Sequence, residues 1–184
     1  MGRPKHFSRE GVLEKALPVF WKHGFADASL QALEKATGVN KSGLYSEFSG
    51  KEELFLESLR FYLDRLPSLG LLVVEPFGWD NIEKFLKLGP SNTEGQKGCF
   101  AISSMRELAI LPPDAIEMLG HSRMQLKRLI ARNIEAEKPK ADVNDLAGMV
   151  MTFFAGLSVE QNLKASRAAT SRKVDNLMQV LRSL

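Results

Sequence analysis

Residues 29–51 read SLQALEKATGVNKSGLYSEFSGK. Ser29 can cap a first helix, SLQALEKAT, whose apolar side is Leu30, Leu33 and Ala36. Gly38 stops it, because glycine takes up the left-handed cap conformation without steric cost. Asn40 can cap a second helix, NKSGLYSEF, with Leu44 and Phe48 on one side. Its other side carries Lys41, Ser42, Tyr45 and Ser46, hydrogen-bonding groups long enough to reach phosphates and base edges. Two helices that share a small core and leave one polar face out predict a helix-turn-helix, whose second helix enters the major groove.

The same stretch resembles the TetR family of one-component transcriptional regulators. The matching residues are Gly38-Val39, Gly43-Leu44-Tyr45, Phe48, and Lys51-Glu52 with Leu54, where apolar, glycine and basic positions fall in register. The resemblance implies that the helix opened by Gly50 and Lys51, KEELFLESLRFYLDRL, links a DNA-binding head to a body. It also implies phosphate contacts by Lys51 and Tyr45. The residues alone leave Tyr45 open as a surface aromatic packed on the head.

Upstream, the arm Gly2-Arg3-Pro4-Lys5 is short and basic, and proline disfavours helix in the residue before it. Arg3 can lie against a phosphate or in a minor groove, or the arm can be a frayed terminus. Ser8 then caps SREGVLEKALPVFWKHG, with Val12, Leu13, Ala16, Leu17, Phe20 and Trp21 at helical spacing. Pro18 should bend this helix and Gly24 should end it. The GRP arm and the FW-x-x-GF run also resemble TetR-type regulators with short N-terminal arms.

Charge supports the same placement. Residues 1–51 hold eight Lys or Arg against five acids, while the remaining 17 basic and 17 acidic residues balance. The whole excess of +3 therefore sits in the segment expected to meet DNA. A chain of 184 residues, 44% hydrophobic and 26% charged, has the composition of a soluble globular protein. No apolar run approaches the roughly 20 residues of a membrane span, and no apolar segment follows the basic start. A cytoplasmic location is the expectation. One cysteine, Cys99, excludes an internal disulfide and a cysteine-based zinc site, and His6, His23 and His121 show no ligand spacing. No cofactor is expected. No phosphate-cradling glycine loop, G-x-S-x-G or H-E-x-x-H motif is present, so an enzyme is not expected.

Downstream, Pro67 to Trp79 breaks helical periodicity and reads as a linker. Asp80 should cap DNIEKFLKL, and Gly89 to Gly98 is a polar loop. CFAISSMRELAIL reads as one helix ended by Pro112-Pro113, followed by a longer helix to about Glu137. Asp142 should cap a helix over about 143–165, and residues 170–184 form the last. In the last two, Leu146, Val150, Phe154, Leu157, Val174, Leu177 and Leu181 form apolar faces. The resemblance assigns these to a four-helix dimer interface; part of the stripe must be core, and the alternative is that it is only the monomer core.

The body is expected to hold an effector pocket, with Phe85, Cys99, Phe100, Met105, Met118, His121, Met149 and Phe153 as wall candidates. Arg106, Glu107 and Gln125 join His121 as possible polar anchors. Cys99 follows a loop, stands near Lys97 and opens a helix, three features that lower a thiol pKa. K-G-C-F here resembles TetR-type regulators with a cysteine at the start of this helix, some of which sense electrophiles or oxidants. A buried free cysteine is the bland alternative.

The expectation is an all-α chain with an N-terminal three-helix helix-turn-helix head over 1–50. Residues 51–184 supply a linking helix and an effector-binding, dimerising body. As a homodimeric, ligand-responsive repressor it would bind a palindromic double-stranded operator and answer to an unidentified small molecule or electrophile. The DNA contacts expected are Arg3, Ser29, Lys41, Ser42, Tyr45, Ser46 and Lys51. The alternative is a helical ligand- or partner-binding protein that does not read DNA, to which Glu47 on the second helix gives some support through repulsion of phosphates.

Overall fold

The computed structural model describes residues 7–89, 98–161 and 166–184. Arg3 and its arm, most of the loop over Gly89–Gly98, and the predicted end of the helix near Ala165 lie outside the described residues. The described residues are helical, with no strand among them. In order they form α1 (Arg9–Asp27), α2 (Leu30–Thr37), α3 (Lys41–Glu47), α4 (Lys51–Leu63), α5 (Pro67–Leu71), α6 (Trp79–Leu88) and α7 (Phe100–Ser104). A 3-10 turn (Met105–Glu107) follows, then α8 (Pro113–Ala136), α9 (Val143–Gln161) and α10 (Arg167–Leu181).

The chain falls into two compact units. One gathers the residues up to Arg65 with Ser103–Leu119, and the other Leu66–Ile102 with Gly120–Leu184. The boundary expected at 50/51 put α4 with the body, whereas here α4 belongs to the first unit.

In the first unit the helix starts are set by side chains that the sequence places there. The Ser8 hydroxyl accepts the Gly11 N–H at 3.0 Å, giving one of the orphan donors of α1 a partner. α1 continues through Pro18, and its non-helical point is Gly24, at φ 78° and ψ 178°. Pro18 thus stays inside the helix, among the buried Ala16, Leu17, Phe20 and Trp21. Phe20 meets Phe55 of α4 edge to face at 5.2 Å, and Trp21 meets Tyr62 at 5.0 Å.

In the second unit, Trp79, Ile82, Phe85 and Leu86 of α6 pack with Ile130 and Ile134 of α8, with Leu146, Val150, Phe154 and Leu157 of α9, and with Val174, Met178 and Leu181 of α10. Asn133 of α8 lies fully buried among them. Its Oδ1 accepts the Gly78 N–H (3.1 Å) and Asn81 Nδ2 (2.9 Å), and its Nδ2 donates to the Leu72 and Leu129 carbonyls (2.9 Å each). This one amide holds the chain between α5 and α6 onto α8. The predicted linker over 67–79 is thus partly helical and pinned, and α6 is capped by Gly78, with Asp80 in its first turn. The predicted helix over 99–111 breaks after Ser104 into the 3-10 turn. Asp142 caps α9, accepting the Asn144 and Asp145 N–H groups at 2.8 and 3.0 Å.

Candidate nucleic-acid interface

α2 and α3 are short, so their geometry rests on caps and a brace. The Ser29 hydroxyl accepts the Ala32 N–H (3.2 Å) and the Asn40 Oδ1 accepts the Gly43 N–H (2.8 Å). Gly38 sits at φ 72°, and its N–H donates to the Glu34 carbonyl. Thr37, buried, donates its hydroxyl proton to the Leu33 carbonyl at 2.7 Å and accepts the Val39 N–H at 3.2 Å. The Glu34 carboxylate accepts the Lys41 N–H. The turn is therefore held at each end, and the angle between the helices is fixed by local bonds. Gly43 lets α3 press on the turn, since a Cβ there would lie 2.6 Å from Val39 Cγ1.

Leu44 and Phe48 face inward at 1% exposure each. Lys41, Ser42, Tyr45 and Ser46 all stand exposed on the opposite side of α3. The Lys41 ammonium lies 5.8 Å from the Tyr45 ring centre, within reach of a weak cation–π contact. Ser29 is exposed, and since its oxygen accepts the cap bond its proton is left to donate. The Ser46 hydroxyl proton is already given to the Gly43 carbonyl at 2.8 Å, which leaves Ser46 an acceptor. The structure thus brings the expected α3 residues onto one face, with Arg3 outside the described residues.

Lys51 opens α4 and its ammonium donates to the Ala26 carbonyl at 3.0 Å, 4.9 Å from the Phe25 ring centre. The amides of the same two residues are also occupied. The Glu107 carboxylate accepts Phe25 N–H at 2.7 Å and Ala26 N–H at 3.0 Å. Gly24 makes this possible, because a Cβ there would stand 2.4 Å from Glu107 Oε2. Glu107, weighed in the sequence as an anchor for an effector, is thus engaged on the end of α1.

Arg9 has a role in the head that no local pattern in the sequence signals. Its guanidinium lies 4.3 Å from the Phe48 ring centre, donates to the Glu47 carbonyl and reaches Glu53 at 3.0 Å. It ties the end of α3 to the start of α4. Glu53 also accepts the Ser49 N–H at 2.7 Å. That bond, the Ser49 side chain and Arg9 hold its carboxyl at about 2, well below its ordinary 4.5. A carboxyl depressed in the folded state stabilises fully above about pH 4.5 and loses that contribution as pH falls towards 2. Acid unfolding followed by circular dichroism should therefore be shallower between those values for Glu53→Gln than for the wild type. Parallel curves would show the carboxylate to be unimportant.

Residues 12–58, which span most of α1 through α4, match the profile of the bacterial regulatory proteins, tetR family. Over 97% of its length the chain is 30% identical to the HTH-type transcriptional repressor ComR of Escherichia coli (strain K12), covering 88% of that protein. The chain belongs to the tetR family. It is also 40% identical over 95% of its length to the repressor AcnR of Corynebacterium glutamicum, covering 88% of it. A cysteine mutant of the TetR family regulator CifR, solved with 26 bp double-strand operator DNA, is 26% identical with a TM-score of 0.83, over 97% of this chain and 98% of that one.

A tetR family member with these relatives is a DNA-binding transcriptional repressor and not an enzyme. Among the described residues no helix is long and apolar enough to cross a membrane.

The residues expected to line an effector pocket are spread through the chain. Phe85 and Phe100 are fully buried, with the Phe85 ring 4.8 Å from Phe154. Cys99 is buried, Met105, Met118 and Phe153 are half-buried, and His121 and Met149 are exposed. A groove of about 370 Å³ lies between α6 and α10, lined by Glu83, Asp175, Met178, Gln179, Arg182 and Ser183, none of them expected from the sequence. Of the seven expected dimer residues, Leu146, Val150, Phe154, Leu157, Val174 and Leu181 are buried within the second unit and Leu177 is half-buried. They serve the chain's own core. The pattern marked an apolar face correctly but did not say what covers it.

Proposed function

We propose that this repressor reads a two-fold operator as a homodimer, with Lys41, Ser42 and Ser46 toward the bases and Ser29, Tyr45 and Lys51 on phosphates. The observation that carries it is the single exposed row on α3, backed by a braced turn. Two such helices about 34 Å apart would enter successive major grooves. An effector, a small molecule or an electrophile, would act by binding unequally to two head spacings. For an electrophile at Cys99, burial of the thiol means that the surrounding chain must open before reaction.

The test is selection of duplexes from random-sequence DNA by repeated binding, followed by fluorescence anisotropy. An inverted repeat should be enriched, and failure to enrich any sequence would overturn the reading. Lys51→Ala should weaken the selected duplex about tenfold and lower the slope of log affinity against log salt by about 1. An unchanged slope would remove Lys51 from the phosphate contacts.

The partner face proposed for α9 is the side its core residues leave out. Met149 (48% exposed) and Val159 (53%) stand there with Thr152 and Gly156. A Cβ at Gly148 or Gly156 would meet nothing within 4 Å, so the backbone is open to close approach by another helix. Met149→Glu combined with Val159→Glu should convert a dimer to a monomer in sedimentation velocity without loss of helix content. A double variant that stays dimeric would place the interface elsewhere.

A further inference from the structure

We propose that Glu107 is a positioning residue for the DNA grip of the head, acting through Lys51. The juxtaposition is a single two-residue stretch, Phe25–Ala26, whose amides are held by Glu107 and whose carbonyl and ring hold the Lys51 ammonium. The inference rests on the reading of Lys51 as a phosphate contact.

A carboxylate accepting two adjacent backbone N–H groups at 2.7 and 3.0 Å makes charge-assisted bonds, stronger than neutral ones, and leaves the peptide little freedom to rotate. The two bonds hold the peptides on either side of Phe25, and the Ala26 carbonyl, which begins the next peptide of the same helical turn, takes the Lys51 ammonium at 3.0 Å. The Phe25 ring adds a second constraint, lying 4.9 Å from that nitrogen and 5.1 Å from the Phe55 ring. Lysine has four rotatable side-chain bonds, and holding its head in one place lowers the entropy lost on binding a phosphate. An ammonium has three protons, so the bond to Ala26 leaves two for the DNA.

Glu107 is itself fixed, because its carbonyl accepts the Ile110 and Leu111 N–H groups at 2.9 and 3.1 Å and Leu111 is buried. The built character of the contact shows at Gly24, where φ is 78° and any Cβ would strike the carboxylate. Glutamine cannot replace glutamate here. Its one carbonyl oxygen can serve one amide, and its NH2 would face the other donor.

The test is a double-mutant cycle on the wild-type-selected duplex, using Glu107→Gln, Lys51→Ala and both together. Thermal melting is recorded alongside, and salt dependence is measured for each. Glu107→Gln should weaken binding about fivefold and lower the salt slope towards that of Lys51→Ala. In the Lys51→Ala background it should add less than about twofold. A purely structural role would lower the melting temperature and leave the salt slope of the folded fraction unchanged, and that result overturns the proposal. Equal loss in both backgrounds also overturns it while leaving Lys51 a phosphate contact. If Lys51→Ala alone changes neither affinity nor slope, the phosphate reading and the proposal fall together. Were Glu107→Gln not to fold, Glu107→Asp, which keeps the charge and shortens the reach, takes its place with the same outcomes.

Discussion

Replacing Asn133 with alanine is expected to lower the unfolding free energy by about 3 kcal/mol or more, read as a fall in the urea midpoint at unchanged slope. The side chain is fully buried and uses both amide donors and its acceptor oxygen. Truncation leaves the Gly78 N–H and the Leu72 carbonyl without these partners, and each such buried group costs about 1–3 kcal/mol. The lost side-chain volume adds a small cavity term. Asn81 would suffer less, since it keeps the Val74 and Pro76 carbonyls at 2.8 and 3.1 Å. A loss below about 1 kcal/mol would mean that water replaces the amide and that the segment before α6 is not pinned by it.

Gly24→Ala is the second large effect expected, about 3 kcal/mol in thermal or urea unfolding. Its backbone at φ 78° and ψ 178° belongs to a region open essentially to glycine alone, worth about 1–3 kcal/mol of strain in any other residue. The added Cβ would also stand 2.4 Å from Glu107 Oε2 and expel the carboxylate from the Phe25 and Ala26 amides. These two costs separate in the Glu107→Ala background, where the second is already lost and only the strain should remain. Equal penalties in both backgrounds would show that Gly24 and Glu107 act independently.

These two sites show what was legible in the sequence. Ser8, Ser29, Asn40 and Asp142 each cap a helix whose first amides are within three residues, so the signal is local and was read directly. Gly38 stops α2 for the same reason. The exposed row on α3 followed from the helical spacing of Leu44 and Phe48. Glu107 had no such signal, because its partners stand more than 80 residues earlier and only folding brings them together. Its engagement lies in the 3-10 turn over Met105–Glu107, at the point where periodicity predicted an unbroken helix. Asn133 looked like any polar residue on a long helix. For α9 and α10 the pattern gave the apolar stripe, and burial of Leu146, Val150 and Phe154 within the chain moves the proposed partner face to Met149 and Val159.

The unit that carries α3 is made from two separated pieces of chain, the residues up to Arg65 and Ser103–Leu119. Its buried residues include Leu111, Ala115 and Leu119 from the second piece, as well as the Glu107 carboxylate contact. A graft that moved only the first 65 residues onto a relative would leave Gly24 facing a foreign side chain. Under the base-reading role proposed for α3, specificity would be exchanged at its outward residues, while the scaffold beneath must travel as a matched pair of segments.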